Sequence, residues 1–272
     1  MILYRYMRSH WLETLNDMHF KMAKISEFND PFDGRGRCIG MLSKETVRNI
    51  LKEADASDSP IVEIAHKLNV ANLPDQILDA LAQRYTSGFY QQVQDRSMMN
   101  LITYILCFSA CNDNDPHQKL MWAHYAYGYR GVRIGVRFDD PNFPLYLDSV
   151  KYCHERPVFD LSKVRSLNKD PEILRFWISN LTTKSTEWAY EQEVRLIGDD
   201  QHLEKGLDDK GKEAYYWRFV PQDIVSIDVG CQVPQAEINK IIESRNSKYP
   251  HMAIRQVVLN DSDYGISYKS LI

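Results

Sequence analysis

The hydrophobic period of this chain changes twice, and that limits the folds open to it. Up to about residue 33 the apolar positions alternate as in strands, at Leu3-Tyr-Arg-Tyr6 and at His19 to Ile25, around a helical turn or two at Trp11, Leu12 and Leu15. From Ser43 to about Met99 the period is helical. Ser43 reads as the N-cap of a helix over Lys44 to Asp55, Ser59-Pro60 opens Ile61 to Leu68, and Leu73-Pro74-Asp75 opens a long segment with Ile77, Leu78, Leu81, Tyr85 and Phe89 at helical spacing. From Leu101 the chain returns to strands, at Ile102 to Ser109, Gly131 to Phe138, Val150 to Cys153, Trp188 to Ile197, Tyr215 to Val220, Ile224 to Val229 and Met252 to Leu259. Helices are expected at His117 to Tyr127, Pro171 to Leu181 and Glu237 to Arg245, and a loop over His202 to Lys212. Strands at both ends around a helical block do not make a regular βαβ alternation. They predict an α+β fold with a mixed, largely antiparallel sheet, and one domain over 1–272 with a helical insertion at 43–99, since no Gly/Ser-rich linker sets the block apart.

Charge and cysteine content exclude several functions. With 33 Lys plus Arg against 37 Asp plus Glu, the net charge is -4 and no basic stripe appears, which argues against a general coat for nucleic acid. The five cysteines form no Cys-x-x-Cys pair and the histidines no His-x-x-x-His, so no metal site is expected. The apolar run at Leu101 to Phe108, interrupted by Thr103, is far short of the about 20 residues that span a bilayer, and the N-terminus reads as a strand and not as a secretion signal. The expectation is a cytoplasmic protein without a membrane partner. Neither a dinucleotide Gly-x-Gly-x-x-Gly after a strand nor a phosphate-binding Gly-x-x-x-x-Gly-Lys-Ser/Thr is present.

Four segments could carry chemistry. In Trp188 to Ile197, read as a strand, Glu191, Glu193 and Arg195 share one face. Two carboxylates there repel, so they mark either a pair that handles an oxocarbenium-like state or a solvated face neutralised by Arg195 and Lys184. Lys119 to Tyr129 is an aromatic helix with Trp122, His124 and Tyr125, leading into a strand whose second face holds Arg133 and Arg137. It could wall a site for a flat anionic ligand, or simply pack on the sheet with His124 inside the core. Asn29-Asp-Pro-Phe-Asp33 is turn chemistry, and the Arg35 and Arg37 that follow, flanked by glycines, could hold phosphates. Ser109 ends its strand without a nucleophile elbow, and Cys107 and Cys111 lack a nucleophile signature. Tyrosine is abundant at 16 residues, and Tyr4, Tyr6, Tyr125, Tyr127, Tyr129 and Tyr190 fall in or beside these segments.

In order, Leu3-Tyr-Arg-Tyr6, Phe28-Asn-Asp-Pro-Phe-Asp33, Cys107-Phe-Ser109, Met121-Trp-Ala-His-Tyr125 with Gly131-Val132, and Trp188 to Leu196 resemble an uncharacterised bacterial family of unknown function that is often associated with defence loci. A second resemblance is to ADP-ribosyltransferases, through Arg5 on a first strand, Phe108-Ser109 on a middle strand and Glu191-x-Glu193 on a late one. This resemblance implies NAD as substrate. Arg5 would support the dinucleotide, Ser109 would brace the pocket, Glu193 would bond the ribose 2′-hydroxyl and Glu191 would orient the acceptor, a protein or RNA. Ser109-Ala110 stands where that family has Ser-Thr-Ser. Tyr4, Tyr6, Trp122 and Tyr125 are then candidates for a nicotinamide platform, Arg5, Arg133 and Arg137 for the pyrophosphate, and Asn29 and His124 for further contacts. The resemblances together imply an NAD-using toxin of anti-phage defence, partnered by an antitoxin or chaperone. The same residues leave open a metal-independent nuclease or hydrolase using Glu191, Glu193 and His124, and a non-catalytic nucleotide- or partner-binding module.

Overall fold

The computed structural model describes residues 1–8, 14, 16–55, 58–140, 143–166 and 170–272, so the turn expected at Trp11, Leu12 and Leu15 lies outside the described residues. In chain order the strands are β1 (Ile2–Met7), β2 (His19–Met22), β3 (Arg37–Ile39), β4 (Tyr104–Ser109), β5 (Val132–Arg137), β6 (Tyr146–Ser149), β7 (Lys151–Cys153), β8 (Val158–Asp160), β9 (Thr183–Ser185), β10 (Glu193–Gly198), β11 (Glu204–Leu207), β12 (Glu213–Arg218), β13 (Ile224–Val229), β14 (Ala253–Leu259) and β15 (Ile266–Ser270). The helices are α1 (Lys44–Glu53), α2 (Pro60–Lys67), α3 (Asp75–Asp95), α4 (Ser97–Ile102), α5 (Gln118–Tyr125), α6 (Pro171–Leu181) and α7 (Gln235–Lys248). The fold is α+β with a mixed, mostly antiparallel sheet. The chain packs into two compact units, one of residues 1–27, 102–152 and 186–272 and one of residues 28–101 and 153–185.

The first unit is built on an eight-stranded sheet ordered β15-β14-β13-β5-β1-β4-β10-β6, in which only the β13–β14 pair is parallel. Alternation along the strands gives the sheet two unlike faces. One is apolar: Leu3, Leu106, Phe108, Val132, Ile134, Val136, Val194, Leu196, Ile227 and Val229 share a core with Phe20, Phe219 and the α7 residues Ile238 and Ile241. The other carries Tyr4, Tyr6, Ser109, Arg133, Asp228, Glu193 and Arg195, with α5 packed on it through Met121 and Trp122. The second face of β5 was expected to be basic and available to wall a ligand site. Instead Arg133 is fully buried, because the aromatic α5 and the tyrosines cover it.

Side-chain caps open helices of the second unit, those at Ser43 and Ser59 as the sequence implied and that at Asp170 in addition. Ser43 Oγ accepts the Thr46 N–H at 3.0 Å, Ser59 Oγ accepts that of Val62 at 3.3 Å, and Asp170 Oδ1 that of Glu172 at 3.0 Å ahead of α6. The helices of 43–99 do not form a core alone. Leu51, Leu78, Phe89 and Val93 pack with Phe159, Leu161, Val164 and Phe176, so the segment 153–185 belongs to the same unit. The Asn29 to Asp33 segment is a tight turn, in which Asp30 Oδ1 accepts the Phe32 N–H at 2.8 Å and Gly34 takes φ 72°.

Candidate functional site

Strands β1, β4 and β10 are neighbours, and their register brings the polar residues into rows. Tyr4 pairs with Ser109 and Ser109 with Glu193, so the three lie side by side across the sheet; Cys107 pairs with Arg195 one step along. Paired residues point to the same face. Arg5, one residue from Tyr4, therefore points to the opposite face, where it lines a cavity of about 580 Å³ with Phe20 and Leu106 and its Nη1 donates to the Cys107 carbonyl at 2.8 Å. The geometry joins Ser109 with Glu193 and separates both from the Arg5 side chain.

The strand expected from Trp188 begins only at Glu193. Residues Thr186–Glu191 form a 3-10 helix, and Gln192 has φ 45°, a left-handed conformation that turns the chain into β10. Tertiary bonds hold this turn: the Gln192 carbonyl accepts the Ala110 N–H at 2.9 Å, the Glu191 carbonyl accepts the Ser109 hydroxyl at 2.6 Å, and the Gln192 amide bonds Asp115. Glu191 thus leaves the strand face it was expected to share with Glu193.

Neither carboxylate is on a solvated face, since Glu191 is 4% and Glu193 5% exposed. Arg195 grips Glu193 with a fork, Nε to Oε1 at 2.8 Å and Nη2 to Oε2 at 3.2 Å, while the Glu193 N–H donates to the Tyr152 hydroxyl at 2.8 Å. The Tyr125 hydroxyl donates to Glu191 Oε1. His124 is exposed, not enclosed in the core, and its Nδ1 pairs with the Tyr190 hydroxyl at 2.9 Å. Glu191, Glu193, Ser109, Tyr125, Tyr190 and His124 form one connected constellation on α5, the 3-10 turn and the ends of β4 and β10.

Other candidates serve the fold. Arg133 is locked between carboxylates, its Nε 2.7 Å from Asp228 Oδ2 and its Nη2 bonded to Asp113, with the rings of Tyr4 and Tyr268 at 4.2 and 4.5 Å. Arg255 bonds the same two carboxylates at 2.6 Å each. With its charge spent on two aspartates, Arg133 is not the pyrophosphate cation it was expected to be. Arg137, at the exposed end of β5, pairs with Asp139 at 3.5 Å. Trp122 is fully buried, edge-on to Tyr6 at 5.4 Å and stacked with Tyr129 at 5.9 Å, so Trp122 and Tyr6 are core residues and not a ligand platform. Tyr127 is exposed. Asn29 is exposed within the second unit. Burial pushes the Cys111 thiol up to about 12 and the Cys107 thiol well above its ordinary value, aided in each case by a neighbouring carboxylate, which disfavours either as a thiolate nucleophile. Among the described residues no group of His, Cys, Asp and Glu could hold a metal ion, and no helix is long and apolar enough to cross a membrane.

The sequence reading missed Tyr152, Asp113, Asp228, Arg255 and Tyr268. Asp113 sits in a polar cluster that reads as a loop, and Tyr268 on β15, a strand without an apolar run; only the alternation of Asp228 opposite Arg133 carried a signal.

The α5 to β10 stretch, which holds all of this constellation but Ser109, is also where the chain matches a family model. Residues 121–196 match the family model described as Protein of unknown function (DUF2971). The match takes in the Met121 to Tyr125 helix with the Gly131-Val132 strand start, and the Trp188 to Leu196 segment with Glu191 and Glu193, two of the five motifs on which the resemblance to an uncharacterised family rests. No curated protein and no solved structure matches the chain.

Proposed function

We propose that the first unit is an ADP-ribosyltransferase-like enzyme that cleaves NAD and transfers ADP-ribose to a protein or RNA. One observation supports the reading above the rest: the strands of Ser109 and Glu193 are adjacent in the sheet, and Ser109 faces Glu193 in direct register. In this reading the bond between ribose C1′ and nicotinamide breaks, nicotinamide leaves with the electron pair, and the acceptor nucleophile attacks C1′. Glu193, held in one orientation by Arg195, bonds the ribose 2′-hydroxyl and meets the positive charge that grows on the ribose, an interaction stronger in the transition state than in the ground state. Glu191 takes the proton from the acceptor, and Tyr125, Tyr190 and His124 supply the aromatic edge for nicotinamide. Arg5 has no part in the site, since its side chain is on the other face of the sheet. Substrate entry parts the Tyr125 to Glu191 bond, because both carboxylates are buried. The association of the resembling family with defence loci suggests a toxin, restrained by an antitoxin or chaperone.

The test is nicotinamide release from NAD by the full chain, with mixed cell protein and with RNA as acceptors. Glu193→Gln is expected to slow release by about 10²-fold or more, whereas Arg5→Lys leaves it unchanged. Absence of both NAD binding and nicotinamide release with either acceptor would overturn the reading, as would release that survives in Glu193→Gln.

A further inference from the structure

Within the second unit lies a cavity of about 250 Å³, lined by the Asp30 to Arg35 turn, the 153–157 segment and residues of α6 and β9. None of its lining residues belongs to the Glu191 and Glu193 constellation. Asn180, on α6 and 1% exposed, lines it, and neither its amide nitrogen nor its amide oxygen has a hydrogen-bond partner in the protein. Most buried polar atoms in proteins are paired, and Asn180 differs from the other unpartnered buried groups described in having both its donor and its acceptor open beside a cavity, a feature that suits a bound partner. The backbone is shaped around it: a Cβ on Gly36 would stand 2.4 Å from Asn180 Oδ1. Arg35 lines the same cavity, and its buried Nε also lacks a partner. Arg156 presents its guanidinium 6.0 Å from the ring of Phe32, which is 63% exposed. The acidic groups are partly engaged, Asp30 by the turn and Asp33 by Lys184 at 3.9 Å, leaving Glu155 at the exposed rim.

We propose that this cavity binds a small phosphate-bearing ligand with an amide-like hydrogen-bonding edge, the chemistry of a nucleoside monophosphate. The phosphate meets Arg35 and Arg156, the donor and acceptor of Asn180 meet the base edge, and Phe32 stacks on the ring. The volume is below the usual range for ligand sites, roughly 300 to 1,000 Å³, which suits a mononucleotide and not a dinucleotide. None of the residues lining it is used in the proposed NAD chemistry, and it gives a role to the Phe28 to Asp33 motif, which that chemistry leaves unused.

Calorimetric titration of the full chain with AMP, GMP, CMP and UMP, and with adenosine and inorganic phosphate, tests it. At least one monophosphate is expected to bind, with adenosine and phosphate each about tenfold weaker or more, a difference of about 1.4 kcal/mol. Arg35→Ala is expected to weaken both the monophosphate and inorganic phosphate, and Asn180→Ala the monophosphate alone. Arg156→Ala, at a half-buried position, serves where either of these fails to fold. Glu193→Gln leaves binding intact, so failure of the NAD reading does not touch this one. No binding of any monophosphate at millimolar concentration overturns the proposal, and so does binding that Arg35→Ala and Arg156→Ala both leave unchanged.

Discussion

The two aspartates of one charge cluster on the sheet differ in what they contribute. Asp228 has no exposed surface and accepts from both Arg133 and Arg255, so its charge compensates a guanidinium that is itself fully buried. Removing one partner of a buried pair leaves the other uncompensated at a cost of about 3–5 kcal/mol. Asp113 still faces both arginines, so Asp228→Asn is expected to fall near the low end, about 3 kcal/mol, by urea unfolding at pH 7. Asp113 behaves differently because it is partly exposed. Burial raises its pKa, but the bonds from Arg133 and Arg255 outweigh this and hold it below the usual aspartate value. A lowered folded-state value means stability that is present above the unfolded value of about 3.9 and is lost as pH falls through the folded one. The stability difference between the wild type and Asp113→Asn is therefore expected to be full at pH 7 and to shrink below about pH 4. A difference that stays constant down to pH 2 would contradict the pairing.

At the level of elements, what the sequence showed clearly was what local rules decide. The Ser43 and Ser59 caps, the helices they open and the alternation of β5 all depend on neighbours within a few residues, and all are found. The strand expected from Trp188 was shortened because Ser109, Ala110 and Asp115, distant in sequence, bond the backbone and side chains of 191–192. β11 and β15 escaped notice because Glu204-Lys-Gly-Leu207 and Ile266 to Ser270 are edge strands rich in charge, glycine and serine, without an apolar run. The candidate site followed the same division. Ser109, Glu193 and Tyr125 were readable as residues, whereas the opposite orientation of Arg5 required the β1 to β4 register. Glycine marks one more such constraint, since a Cβ on Gly131 would stand 2.0 Å from the Met7 carbonyl oxygen where β5 begins alongside β1. No flexible side-chain end is there to give way, so the backbone must move. Gly131→Ala is expected to cost about 3 kcal/mol, the upper end of ordinary single substitutions, read as a lowered urea midpoint.

Across the whole molecule, the helical block was visible as a change of period, but its partners were not. The core it shares with Phe159, Leu161 and Phe176 joins segments about a hundred residues apart in sequence, and hydrophobic periodicity records which residue faces inward without recording what it meets. Net charge is read from the full chain without any structure, and it bears on the acceptor. At -4, with Arg133, Arg195 and Arg255 already bonded to carboxylates on the sheet face, the first unit commits cations inward that a nucleic-acid surface would display outward. Backbone-driven binding to duplex DNA needs several free Lys or Arg against phosphates and weakens steeply with salt. Fluorescence anisotropy with a labelled 30-base-pair duplex is therefore expected to show no binding at micromolar protein in about 150 mM salt, near physiological ionic strength. Tight binding there, steeply dependent on salt, would place a basic surface on this protein and move the proposed acceptor from protein or single-stranded RNA toward duplex DNA.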